Sequence, residues 1–321
     1  MNNTLVIMRK ELLDIRRNRF LLLLLSFILV AVLVSIFVSS LDFRTKLDAY
    51  NKYAEALKQA HSTILPAPPQ LFPLQLLQGS IEYLEILGAL FAIVVGYGMV
   101  AKEKLRATLG LIFTRPVRRY QLANGKLLAL AITWFAAVVT IFSILTLVLA
   151  LVANSPLHLI DIYRLLMSAG VTWVYLIFWS ALAMGLASFT RQLGISLVVS
   201  IVLWLSVVLI LPQIGDTMDP DNQVPGGLFF SLQVSKAHEH QLLAHFATFE
   251  KVRNGLEVSS ITKHYERTTF DYLGIKPKYN QTPIGYAFMG TLPNLLTLLL
   301  GSIGVLIFAL QTTTRKKLLR R

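Results

Sequence analysis

Long apolar runs alternate with polar segments along the chain, at about 20–41, 81–100, 127–153, 165–187, 195–211 and 284–310. A helix rises 1.5 Å per residue, so the first run, about 22 residues, reaches about 33 Å and can cross a hydrocarbon core of about 30 Å. The polar segments carry patterns of their own. Before the first run, Leu5, Met8, Leu12 and Ile15 recur at spacings of three and four among Arg9, Lys10, Arg16, Arg17 and Arg19, which predicts a basic amphipathic helix lying on a membrane face. In the segment 42–79, Leu47, Tyr50, Ala54 and Leu57 mark one face of a charged helix, and Pro66, Pro68, Pro69 and Pro73 then force an extended return. In the loop 101–126, Leu105, Leu109 and Ile112 share a face of a short helix that Pro116 ends. The longest polar segment, 212–283, has turn signals at Pro220, Pro225, Gly226 and Gly227, then an amphipathic helix marked by Leu242, Phe246, Phe249 and Leu256. The sum is an all-α integral membrane protein with one domain over 1–321, six transmembrane helices and two long external segments.

Composition agrees: 55% of residues are hydrophobic and 15% charged, with a mean hydropathy of +0.62, far from the quarter charged of soluble chains. A signal peptide is the competing reading, but the first run is long enough to span and lacks a small-residue cleavage site, so it reads as an uncleaved first span. The absence of cysteine rules out disulfides, thiolate nucleophiles and Cys-ligated zinc. Charge distribution orients the spans. The N-terminal helix, the loop 101–126, the link 188–194 and the C-terminal tail hold 18 Lys and Arg against 3 acids, whereas the rest holds 12 against 14. Positive charge beside a span resists translocation, so the basic segments and both termini belong in the cytoplasm. The asymmetry also absorbs the whole net charge of +13, leaving none to indicate nucleic acid; the basic face fits anionic lipid and a cytoplasmic partner.

Candidate chemistry is sparse. No G-x-x-x-x-G-K-[ST] run exists, since Gly125-Lys126 is followed by Leu127, so the chain binds no nucleotide through that motif. G-x-S-x-G and H-E-x-x-H are also absent. Glu82 and Glu85, three apart near the external end of the second run, either line the mouth of a path or sit in the wet interface, which is the preferred reading. His238, His240 and His245 could hold copper or zinc, but ordinary loop histidines account for them as well, and no acid or sulfur ligand stands at a suitable spacing. Asp219-x-Asp221 lacks the rest of a calcium loop. Trp134, Trp173, Trp179 and Trp204 read as packing or interface residues.

The loop 101–126 carries seven Lys or Arg against the single acid Glu103. Its run of Glu103, Thr108-Leu109, Arg115-Pro116-Val117, Arg119 and Gly125-Lys126 resembles the cytoplasmic loop of type-2 ATP-binding-cassette (ABC) exporter permeases, with Ala107 where that family more often has Gly. The six-span layout resembles the nitrous-oxide-reductase-maturation subgroup. The resemblance implies a permease without catalysis of its own. The N-terminal helix would be an elbow helix, and the loop a coupling helix that docks on a separate ATPase subunit through Glu103, Leu105, Arg106, Thr108, Leu109, Ile112, Arg115, Pro116 and Arg119. ATP and Mg would be bound by that subunit, with no cofactor in this chain. It further implies a homodimer or a paired permease in a bacterial or archaeal plasma membrane. The long external segments leave room for an envelope protein partner.

Overall fold

The computed structural model describes residues 3–59, 72–105, 118, 120–152, 157–218, 238, 247–276, 279–280, 282–314 and 318. Helix α1 (Asn3–Arg17) is separated from α2 (Arg19–Gln59) by Asn18. Helix α3 (Pro73–Leu105) is next, then α4 (Gln121–Val152) and α5 (Leu159–Phe189). Helix α6 begins as Leu193–Trp204, passes through a π turn at Leu205–Ile210 and ends as Leu211–Met218. Helices α7 (Ala247–Ser259), α8 (Ile261–Leu273) and α9 (Ile284–Thr312) complete the described chain. Among the described residues six helices, α2 to α6 and α9, are long and apolar enough to cross a membrane.

Several boundaries differ from those the apolar pattern predicts. The charged helix expected within 42–79 is no separate element: α2 runs unbroken for 41 residues, because nothing between Leu41 and Gln59 breaks a helix. Leu47, Tyr50 and Ala54 do lie on its less exposed face, together with Phe43. Pro73, expected in an extended return, instead opens α3, where its missing N–H is no loss. Helix α8 has no counterpart in the apolar pattern.

Helix α5 is central and packs on α3, α4, α8 and α9. It approaches α3 so closely at Gly96 that a Cβ there would collide with the backbone of Ser180. Ser180 Oγ accepts from buried Trp134 Nε1 at 2.6 Å, which locks α4 to the same point. Around this centre the outer helices are inside-out. Leu24, Ile28, Val32 and Ile36 of α2 are buried at spacings of four, while Leu23, Phe27, Val30, Val34 and Phe37 are exposed. In lipid such an aliphatic face carries no penalty, since acyl chains are as apolar as leucine.

Two π turns interrupt the ladder, Leu84–Gly88 in α3 and Leu205–Ile210 in α6, and α8 packs against both. Polar groups seat it. Tyr265 stacks on Tyr175 with centroids 4.2 Å apart, Thr172 and Tyr265 hydroxyls meet at 3.1 Å, and Ser260 Oγ donates to the Val207 carbonyl at 2.7 Å. Burial pushes the Tyr265 phenol well above its ordinary value, so it stays a neutral hydroxyl. Beyond α8, the buried Arg164 guanidinium donates to the carbonyls of Tyr272, Tyr279 and Thr282, fastening the approach to α9 onto the start of α5.

Candidate functional site

At the opposite end from Arg164, the roots of the basic loop meet α1. Gly125 lets α1 lie against α4: a Cβ there would fall 2.7 Å from Ile7 Cγ2 and 2.9 Å from the Thr4 carbonyl. One residue on, Lys126 is fully buried. Its ammonium donates to Glu11 Oε1 at 2.8 Å and to the Met99 carbonyl at 2.7 Å, and it forms an ion pair with Glu103 Oε2 at 3.0 Å. Lys102 Nζ lies 2.7 Å from Glu11 Oε2 and 3.1 Å from Asp14 Oδ2. Lys10 Nζ lies 2.8 Å from Glu103 Oε1 and 3.2 Å from Glu11 Oε1. Three lysines thus balance three carboxylates drawn from α1, α3 and α4.

The balance shows in the titration of Glu11. Burial alone would raise its pKa, but the charges of Lys126 and Lys102 outweigh that and hold it down to about 2. Lys10 shifts up: burial would lower it, and its hydrogen bond and charge pairing with Glu103 prevail. Both shifts favour the ionised lattice.

The neighbouring side chain extends the clasp to α5. Lys104 Nζ donates to the Ala187 and Thr190 carbonyls at 2.7 and 2.8 Å, a cation on the negative end of the helix dipole. Ser188 and Thr313 hydroxyls, 2.9 Å apart, add the end of α9. The residues on either side of 106–117 are therefore anchored to α1, α3, α4 and α5 together.

The sequence-predicted docking residues divide. Leu105 stands 75% exposed. Glu103, expected to flank an outward docking face, is instead turned inward at 3% exposure, because two lysines from other helices draw its carboxylate into the clasp. Arg106, Thr108, Leu109, Ile112, Arg115, Pro116 and Arg119 lie outside the described residues. Glu82 and Glu85, expected together in the wet interface, are parted by the π turn that begins at Leu84. Glu82 is exposed and accepts from Gln78 Nε2 at 3.1 Å, whereas Glu85 is buried at 6%. The extra residue of a π turn rotates the helix beyond it, so two positions three apart no longer share a face. His238 is exposed, and His240 and His245 lie outside the described residues. Among the described residues no three His, Asp or Glu come together as metal ligands would. His264 is buried, its ring between Asn294 Oδ1 at 2.8 Å and the Val258 carbonyl at 2.9 Å.

Sequence reasoning missed Glu11 and Asp14. The signal was present: two acids in an otherwise basic helix, with a lysine near the start of a span that needs a counter-ion.

Six apolar helices with α5 at their centre, among the described residues, and an amphipathic N-terminal helix clasping the roots of a basic loop, define a polytopic integral membrane protein of the permease type. The chain belongs to the ABC-2 family of transporter proteins: the sequence profile described as "ABC-2 family transporter protein" matches residues 5–317. It is therefore a membrane permease component of an ABC transporter, and such a component pairs with an ABC ATPase subunit. No curated protein matches the chain.

Proposed function

We propose that the chain is the permease of an ATP-driven exporter whose ATPase subunit, holding ATP and Mg, docks on the loop 101–126 from the cytoplasm. The observation that carries this reading is the clasp. Because Glu103, Lys104 and Lys126 fix the loop's two roots to α1, α3, α4 and α5, a push on the loop enters four helices at once. Helices transmit it, since their backbone bonds are satisfied internally and stiff. Substrate moves along a path between this chain and a second permease, a copy or a relative. The six-span layout further supports kinship with the nitrous-oxide-reductase-maturation subgroup.

Docking is tested at Leu109, which the spacing of Leu105, Leu109 and Ile112 puts at the middle of an apolar face. Leu109→Asp forces a charge into a packed contact. Loss of one buried Leu, about 1.5 to 3 kcal/mol, lowers ATPase affinity by tenfold or more. The readout is co-purification of the cognate ATPase at equal membrane levels; unchanged recovery and turnover reduce the loop to a positive-inside anchor.

Sidedness is tested separately. In the cysteine-free chain, a Cys placed at the exposed Ser259 is expected to react with an impermeant maleimide from outside and not from the cytoplasm. Labelling from the cytoplasm alone inverts the arrangement and removes the loop from the ATPase.

A second reading draws on the extension of α2 past the apolar run to Gln59. In it the complex transports nothing and drives an envelope protein instead. ATP turnover stimulated by a substrate in vesicles favours export; turnover that responds only to an external protein favours the mechanical alternative.

A further inference from the structure

We infer that the corner between α1 and α2 is a binding site for one anionic phospholipid. A cavity of about 580 Å³ opens there against the end of α3 that leads into the basic loop. Its walls are of two kinds. Leu21, Val94 and Val95 are aliphatic and belong to the spans, and Gly98 leaves the α3 wall bare, with nothing within 4 Å of where its Cβ would stand. The rim is polar, with Arg17, Asn18 and Lys102. Asp14, the acid at this rim, is held by Lys102 at 3.1 Å. Arg17 is exposed and among the described residues makes no ion pair.

This combination selects the occupant. A soluble phosphate would use the rim and leave the aliphatic wall wet. An acyl chain alone would leave Arg17 without a counter-ion at the membrane surface, where each basic residue gains from an anionic headgroup. A lipid with its phosphate at Arg17 and one chain along Leu21 and the bare strip at Gly98 satisfies both. Lys102 and Leu105 also line the cavity, so the bound lipid would rest against the root of the loop. The binding claim does not depend on ATPase docking.

The test uses the full chain purified in mild detergent and titrated with phosphatidylglycerol, phosphatidylcholine or inorganic phosphate, with the apparent Tm and native mass spectrometry as readouts. Phosphatidylglycerol is expected to raise the Tm and remain bound, with little response to the other two. Arg17→Gln should shift the titration midpoint by about fivefold, the contribution of one basic residue at an anionic surface. Gly98→Phe fills the cavity and should abolish the response, whereas Gly98→Ala, adding one carbon to open space, keeps it and shows that the fold tolerates the position. Equal response to phosphatidylcholine, response to phosphate alone, or an unaffected Gly98→Phe variant overturns the site. So does loss of a dimer in Gly98→Phe with the lipid response intact, which would give the notch to a second copy.

Discussion

Lys126→Met is expected to destabilise the protein by about 3 to 5 kcal/mol, the usual cost of removing one partner from a buried ion pair. The methionine fills the space but leaves the carboxylates of Glu11 and Glu103, both buried, without the cation that stood between them. Lys102 and Lys10 still pair with one each, so the loss should fall short of unfolding. Adding Glu11→Gln restores the count, two lysines against Glu103 and Asp14, and should recover a large part of the stability. The measurement is the apparent Tm of the purified chains in one detergent, at a fixed scan rate because membrane proteins often unfold irreversibly. A single variant as stable as the parent, or a double variant no better than the single, would mean that the lattice adds nothing.

Gly96→Leu should be of similar severity, although it replaces a residue with no side chain. At Gly96 the backbones of α3 and α5 touch, so an added carbon meets Ser180 main-chain atoms and cannot be relieved by a rotamer change. Overpacking in a core commonly costs about 1 to 3 kcal/mol, and a main-chain obstacle belongs at or beyond the upper end. The helices must separate, exposing Trp134 and its bond to Ser180. Gly98→Ala, two residues along, should instead be neutral or gain up to about 1 kcal/mol of helix propensity. Retained folded protein in detergent chromatography separates the two; equal yields of both would refute the close approach.

The membrane helices were legible because apolar length is a one-dimensional signal, and each of the predicted runs corresponds to one of the six long helices, apart from residue 153, which lies outside the described residues. The N-terminal helix was legible for a similar reason, since Leu5, Met8, Leu12 and Ile15 keep to the helical repeat. What escaped was set by tertiary contact. Helix α8 carries Thr, His, Tyr and Glu at a high density, and reads as solvated chain until Tyr175 and the two π turns supply partners for those groups. A π turn leaves no mark in composition, so the parting of Glu82 and Glu85 could not be read from spacing. Glu103 entered the docking set through its place in the run that resembles a coupling loop, yet its partners are Lys10 and Lys126. Residues brought together from α1, α3 and α4 have no common periodicity to betray them.

The uninterrupted length of α2 has a mechanical consequence. Forty-one residues make a rod of about 60 Å, of which about 27 Å extends past the apolar run. It starts one residue beyond α1, the helix that shares the ionic clasp. A rigid lever pivoting within the bundle multiplies displacement in proportion to arm length, so a tilt of a few degrees imposed at the α1 corner sweeps the far tip by several ångströms. No second joint is needed to carry motion from one membrane face to a point well beyond the other.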